Sequence, residues 1–342
     1  MPYHFKNLVF EGGGVKGIAY AGSMEVLQKK GILSNIKRVG GTSAGAINAT
    51  LFALGFSNLE QNNILKKLNF NNFMDDSWGI VRDIDRLIHR FGWYKGDFFH
   101  SWIGRHVEKK LGDANATFKD LQEAGRPDLY VYGTNLSTHF GEVFSVEHTP
   151  AARIADAVRI SMSIPLFFAA FRNSRNDVYV DGGMLNNYPV KLFDREKYIS
   201  PENRIKMAVK TDYYKEENKR FLKKRPNGSP YRYNRETLGF RLDSKQEIAV
   251  FRFGAEPKHH DIDDLFDYIK ALMTTILESQ GNTHLHGDDW HRTIYIDTLG
   301  VGTTDFDLSD VKKKKLRESG KKCAETYFKW FDSHAAQPAN RP

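Results

Sequence analysis

Val39-Gly40-Gly41-Thr42-Ser43-Ala44-Gly45-Ala46-Ile47-Asn48 is the stretch on which every other reading depends. Apolar Ile36 and Val39 lead into it, and an Ala-rich, helix-compatible run continues to Leu54. Between them, Gly41-x-Ser43-x-Gly45 predicts a sharp turn from strand to helix, with glycines supplying room and dihedral freedom. Such a turn lifts the Ser43 hydroxyl out of the sheet and places it at a helix N-terminus. Backbone N–H groups and the helix dipole favour developing negative charge there. That is a setting for a nucleophile, although small residues in this order also serve a plain packing turn.

Upstream, Lys6–Phe10 reads as a first buried strand running into Glu11-Gly12-Gly13-Gly14-Val15-Lys16-Gly17, and Ile18–Lys30 as the helix that follows, stopped by Gly31. Gly12-x-Gly14-x-x-Gly17 has dinucleotide-loop spacing. A nucleotide fold, however, wants an acidic residue at the end of the second strand, and Ile36–Val39 ends in Gly40-Gly41-Thr42-Ser43 instead. Gly-Lys-Ser/Thr, the end of a Walker loop, is absent as well. The better reading is a bank of backbone N–H groups for an oxyanion, beside the serine because both loops leave adjacent strands.

Downstream, residues 59–111 form an aromatic-rich, helical, lid-like insertion, with a short amphipathic helix expected over Asp83–Ile88. The run from Phe91 to Ile103 suits a core, or an apolar wall for a long acyl chain. Strands are expected at Leu129–Thr134 and Gly141–Val146, and a helix at Ala152–Met162. The short strand Val178–Val180 delivers Asp181-Gly182-Gly183, either a turn or a carboxylate at the ligand-binding edge of an α/β sheet. Arg204–Lys210 reads as a strand, and residues 211–235 as a polar, mobile loop. Asp261–Glu278 carries helical periodicity, Thr293–Ile296 is a late strand, and Leu308–Phe331 a last helix. His284, His286 and His291 match no zinc spacing, so no metal is expected.

Composition sets the outer limits. A chain of 342 residues with 40% hydrophobic content can bury the core of one α/β domain. No apolar run approaches the ~18 residues that would span a bilayer. The N-terminus enters strand at once, so the expectation is a cytoplasmic protein, though an exported effector without a cleaved signal would look the same. Cys323, the single cysteine, precludes an intramolecular disulfide. The net charge of +8 is concentrated in Lys215–Arg241 and Lys312–Lys322. Without an RNA- or DNA-binding signature, no nucleic-acid partner is expected, and peripheral docking on anionic membrane is the partner reading for these segments.

Three signals in one order, Gly12–Gly17, Gly41–Gly45 and Asp181–Gly183, each follow an expected strand end. Together they resemble the patatin-like phospholipases. Arg159-Ile160-Ser161-Met162-Ser163-Ile164-Pro165 and Asn186-Asn187-Tyr188-Pro189-Val190 extend the resemblance, which runs from about Asn7 to Leu192, with a weaker echo at Thr237–Leu242. It implies a single-domain, three-layer α/β fold: a mostly parallel central sheet flanked by helices, with a helical, aromatic lid region. It also implies phospholipase A or lysophospholipase chemistry without cofactor or metal. Ser43 would be the nucleophile and Asp181 its base; Gly12, Gly13, Gly14 and Ala44 would hold the oxyanion. Lys16, Gly17, Gly41, Gly45, Gly182 and Gly183 would support these motifs.

A carboxylate of ordinary pKa, about 3.9, is a weak base, so positioning and the oxyanion hole would carry more of the barrier. A Ser–Asp dyad also predicts a pH–rate profile without an imidazole inflection near pH 6–7. Three other classes share parts of the pattern. An α/β-hydrolase or acyltransferase would need a catalytic histidine, with His259, His260 and His291 the foremost candidates. A nucleotide- or phosphate-binding module would use only the glycine loop, and a membrane-associated scaffold only the basic segments.

Overall fold

The computed structural model describes residues 3–68, 87–204, 208–209, 214–244, 256, 259, 261–284 and 288–333. Its organising strand is β1 (Asn7–Phe10), every residue of which is buried. Leu8 and Phe10 join the main core on one face, while Val9 packs with Tyr130, Tyr188, Val190, Phe193 and Tyr198 on the other. A strand covered on both faces belongs inside a parallel sheet, and its run of apolar side chains is the sequence expression of that position.

The other strands are β2 (Arg38–Thr42), β3 (Gly92–Tyr94), β4 (Asp128–Asn135), β5 (Phe140–Ser145), β6 (Leu166–Phe168), β7 (Phe171–Arg172), β8 (Val178–Asp181), β9 (Ala208–Val209), β10 (Tyr233–Asn234), β11 (Thr237–Asp243) and β12 (Thr293–Asp297). Eight of them form one sheet in the order β12-β11-β1-β2-β4-β8-β7, with β5 paired to β4. From β12 to β4 all pairings are parallel; β4–β5, β4–β8 and β7–β8 are antiparallel.

β4 decides where the site lies. Its residues 128–132 pair with β2, ending at Tyr132 opposite Thr42, and Gly133 then pairs with Asp181 at the end of β8. The end of β2 and the end of β8 therefore occupy consecutive positions along β4, about one residue rise of ~3.3 Å apart.

Helices complete the layers: α1 (Tyr20–Lys29), α2 (Ala44–Ala53), α3 (Asn58–Lys67), α4 (Asp97–Leu111), α5 (Phe118–Glu123), α6 (Ile154–Ser161), α7 (Gly183–Asn186), α8 (Lys215–Lys224), α9 (Leu265–His284) and α10 (Asp310–Ser333). The last helix returns to the first, with Ser23 Oγ donating to the Gly320 carbonyl at 2.8 Å. In the lid-like region, α4 turns Phe99, Trp102, Ile103 and Val107 into the main core, so these side chains are structural. The helix expected over Asp83–Ile88 falls largely outside the described residues.

Residues 214–235 correct the expectation of a polar loop, because ten of them form α8. Glu216 and Glu217 in its first turn and Lys223 and Lys224 in its last complement the helix dipole. Asn218 then clamps Tyr231 through both its N–H and C=O groups, and Arg195 lies over the Phe221 and Tyr231 rings. A charge run alone conceals such tertiary tethers.

Candidate active site

Ser43 stands between β2 and α2 at φ 52, a left-handed conformation that costs a non-glycine residue about 1–3 kcal/mol. Tight packing holds it there. Gly45 lies so close to the end of β1 that a Cβ would sit 2.3 Å from the Phe10 carbonyl oxygen, while Gly41 abuts Gly45 and Gly17 abuts Ala44. The glycine loop and the N-terminus of α2 are thereby pressed together. The Ser43 N–H donates to Ser161 Oγ at 2.9 Å, and Ser161 Oγ donates to the Tyr132 carbonyl at 2.6 Å.

Asp181 sits beside it, 3% exposed. Its Oδ1 accepts the Gly183 N–H at 2.7 Å, and its N–H donates to the Ser163 carbonyl at 2.8 Å. Gly182 has no room for a side chain beneath the Tyr132 carbonyl. Oδ2 is buried and accepts no hydrogen bond of ordinary geometry among the described residues. Burial pushes the carboxyl up to about 7, against the lowering influence of the Gly183 N–H and then the Ser43 hydroxyl. The hydroxyl is thus near enough to act on the carboxyl electrostatically, while Oγ itself lies 3.5 Å from Met162 Sδ. The expectation of a weakly basic carboxylate is corrected: desolvation destabilises the charged form and makes it the stronger base.

The four expected oxyanion donors are not equivalent. The Gly12 N–H donates to the Asn187 carbonyl at 2.9 Å, and Asn187 Nδ2 returns a bond to the Gly12 carbonyl at 3.2 Å. Gly12 therefore latches the glycine loop to the segment after Asp181, and its amide is taken. The N–H groups of Gly13, Gly14 and Ala44 donate to no acceptor among the described residues. Gly14 is at φ +55, and an added Cβ would meet the Thr303 carbonyl oxygen at 1.9 Å. The neighbouring Val15 N–H donates to that same oxygen at 3.2 Å.

Lys16 is buried and faces Glu11. Glu11 accepts the Leu242 N–H at 2.6 Å and lies opposite Arg241 at 3.8 Å. Burial holds the Glu11 carboxyl above the usual range despite the cations. This charged cluster lies behind the glycine loop and anchors it to β11.

Among the described residues no imidazole is hydrogen-bonded to Ser43 or Asp181. His259 is exposed beside Asp261, and His291 packs its ring on Trp330 at α10. His284 ends α9, whereas His260, His286 and His334 lie outside the described residues. Sequence reasoning gave no role to Ser161, Met162, Ser163 or Asn187. The two motifs that contain them were visible, but the contacts of Ser161 and Met162 with Ser43 and of Asn187 with Gly12 cross more than a hundred residues.

The family profile described as "Patatin-like phospholipase" matches residues 8–194, more than half of the chain. Relatives extend the likeness. The uncharacterized protein YqhO of Bacillus subtilis (strain 168) is 29% identical over 344 residues, covering 94% of this chain and 97% of its own. A probable lipid hydrolase, 463L of Invertebrate iridescent virus 6, is 27% identical over 210 residues, 60% of this chain and 68% of its own. Among solved structures, VipD from Legionella pneumophila superposes with a TM-score of 0.56 at 19% identity, covering 97% of this chain and 67% of VipD, a likeness of fold. On the profile match, the chain belongs to the patatin-like phospholipase family of lipid acyl hydrolases.

Proposed function

We propose that the chain hydrolyses acyl esters of phospholipids or lysophospholipids through a Ser43–Asp181 dyad and an acyl-enzyme. The observation that carries this reading is the shared edge of β4, which sets Asp181 one position beyond the end of the strand leading to Ser43. The buried Asp181 carboxyl, close enough to the Ser43 hydroxyl for that hydroxyl to lower its pKa, supports it. In the first step Asp181 accepts the hydroxyl proton as Ser43 Oγ bonds to the ester carbonyl carbon. Negative charge on the carbonyl oxygen is met by the N–H groups of Gly13, Gly14 and Ala44. The C–O bond to the alcohol breaks, and the alcohol takes the proton from Asp181. Water then attacks the acyl-enzyme with Asp181 again as base, releasing the fatty acid and restoring Ser43. The partly buried Tyr94, Phe167 and Phe306, with ring centroids 4.9 and 5.5 Å apart in that order, would form an apolar wall for the acyl chain.

No described helix is long and apolar enough to cross a membrane. The substrate would then be taken from a lipid surface, with exposed Lys223, Lys224, Arg225, Lys312 and Lys315 as cations for peripheral docking on anionic lipid. The test is labelling with a fluorophosphonate, mapping of the adduct, and digestion of a lipid extract. The reading expects one adduct, on Ser43, and release of fatty acids. Ser43→Ala should lose both while keeping its thermal unfolding. Turnover persisting in folded Ser43→Ala would refute the reading.

A further inference from the structure

The three residues Ser161-Met162-Ser163 touch both members of the dyad. Ser161 Oγ takes the Ser43 N–H, Met162 Sδ lies at the Ser43 hydroxyl, and the Ser163 carbonyl takes the Asp181 N–H. They form a clip across two loops that come from strands 140 residues apart in the chain. The clip is itself held from one side by Arg159, which is 6% exposed. The guanidinium donates from Nε to the Gly96 carbonyl at 3.1 Å, and from Nη2 to the Lys95 carbonyl at 2.7 Å and the Ala169 carbonyl at 2.9 Å. Nη1 bonds Ser163 Oγ, which in turn donates to the Arg159 carbonyl at 2.8 Å. Lys95 and Gly96 follow β3, the strand of the lid-like region, which pairs with β6 just beyond the clip.

We infer that Arg159 is a positioning residue: acting through the clip, it sets the spacing of Ser43 and Asp181 and ties that spacing to the position of Lys95–Gly96. The inference rests on the dyad reading above and adds to it a link between the lid-like region and the reacting groups. A planar guanidinium suits the task because its five N–H groups diverge in a fixed fork, so one side chain can hold acceptors from three segments at once. Lysine keeps the charge and loses the fork. From the other side, Gly96 is at φ +73, and a Cβ there would stand 2.4 Å from Arg159 Nη2. Alanine at Gly96 therefore displaces the guanidinium without altering Arg159 itself.

The experiment uses the full chain and a water-soluble short-chain p-nitrophenyl ester, so that binding to a lipid surface plays no part. Steady-state kinetics and the second-order rate of fluorophosphonate reaction at Ser43 are measured for Arg159→Lys, Gly96→Ala and the double variant. Misplacing reacting groups by about 1 Å costs up to ~100-fold. Each single variant should therefore lose about 10- to 100-fold in kcat and in labelling rate, with KM within about twofold, the mark of lost transition-state interaction alone. If both act through one contact, the double variant falls little below the lower single one. Folded single variants with wild-type kcat, or a double variant whose loss is the product of the two, would overturn the inference. Should Arg159→Lys not fold, Gly96→Ala decides alone, and an unfolded Gly96→Ala hands the decision to Ser163→Ala, which removes the hydroxyl that Arg159 holds, judged by the same kcat and KM criteria. Failure of the dyad reading would show separately, as wild-type protein that is not labelled at Ser43.

Discussion

The pH dependence of the reaction follows directly from the burial of Asp181. Its carboxyl is held up at about 7 by desolvation, and the reaction needs it ionised to accept the Ser43 proton. With one essential ionisation near 7, kcat/KM should rise about tenfold per pH unit below it and level off above it. At pH 6 roughly a tenth of the plateau activity should remain. The inflection expected near pH 7 is therefore that of a carboxylate, and the dyad still predicts none from an imidazole. A stability signature should accompany it. A folded pKa raised above the unfolded value of about 3.9 means that the native state binds the extra proton between about pH 4 and 7. That contribution is fully present below about pH 4 and is lost as pH rises through about 7. Three units at about 1.4 kcal/mol each put it on the order of 4 kcal/mol. The assay compares thermal and denaturant unfolding of wild type and Asp181→Asn from pH 4 to 8. The asparagine is neutral throughout, and Glu11, also raised by burial, is common to both proteins and cancels. Wild type should lose stability relative to the variant across that window. A flat activity profile from pH 5 to 9, or a stability difference independent of pH, would refute the argument.

Gly13→Val should lower kcat about 10²–10³-fold with lipid binding little changed, through disturbance of one oxyanion donor. Its Cβ would meet Leu242 Cδ1 at 2.7 Å, and a nucleotide-binding loop would show lost nucleotide affinity with unchanged turnover instead. Alanine at each of His259, His260, His284, His286, His291 and His334 should keep most of the activity, and the inflection near pH 7 should survive every change. One folded variant as inactive as Ser43→Ala would establish a triad. Vesicle binding should weaken with ionic strength and with charge reversal at Lys223 and Lys224 or at Lys312 and Lys315, each worth up to about 1 kcal/mol. Lys313 and Lys314 should matter less, because Lys313 reaches the carbonyls ending α3 and Lys314 lies 4.0 Å from Glu318. Binding indifferent to salt and charge would leave these lysines as solvated faces.

What the amino-acid sequence determined by itself is local. Alternation and runs of apolar residues marked the strands and helices, and the small residues around Ser43 and after Asp181 marked sharp turns at strand ends. These signals are legible because a turn's steric demands fall on the residues that make it. Their common order was enough to join Ser43 to Asp181 through a family resemblance. Physical adjacency was decided by β4, which gives one edge first to β2 and then to β8. The same holds for the Gly12 amide, taken by Asn187 from 175 residues away, and for Ser161, which accepts the Ser43 N–H across 118. Nor does an Asp-Gly-Gly turn announce the basicity of its carboxylate, since desolvation depends on everything packed around it. The residues of 214–235 looked solvated because their charges are local, while α8 is held by Arg195 from outside the segment and by Tyr231 thirteen residues beyond Asn218. Hydrogen bonds and burial that cross the chain have no local pattern, and only the tertiary structure could assign them.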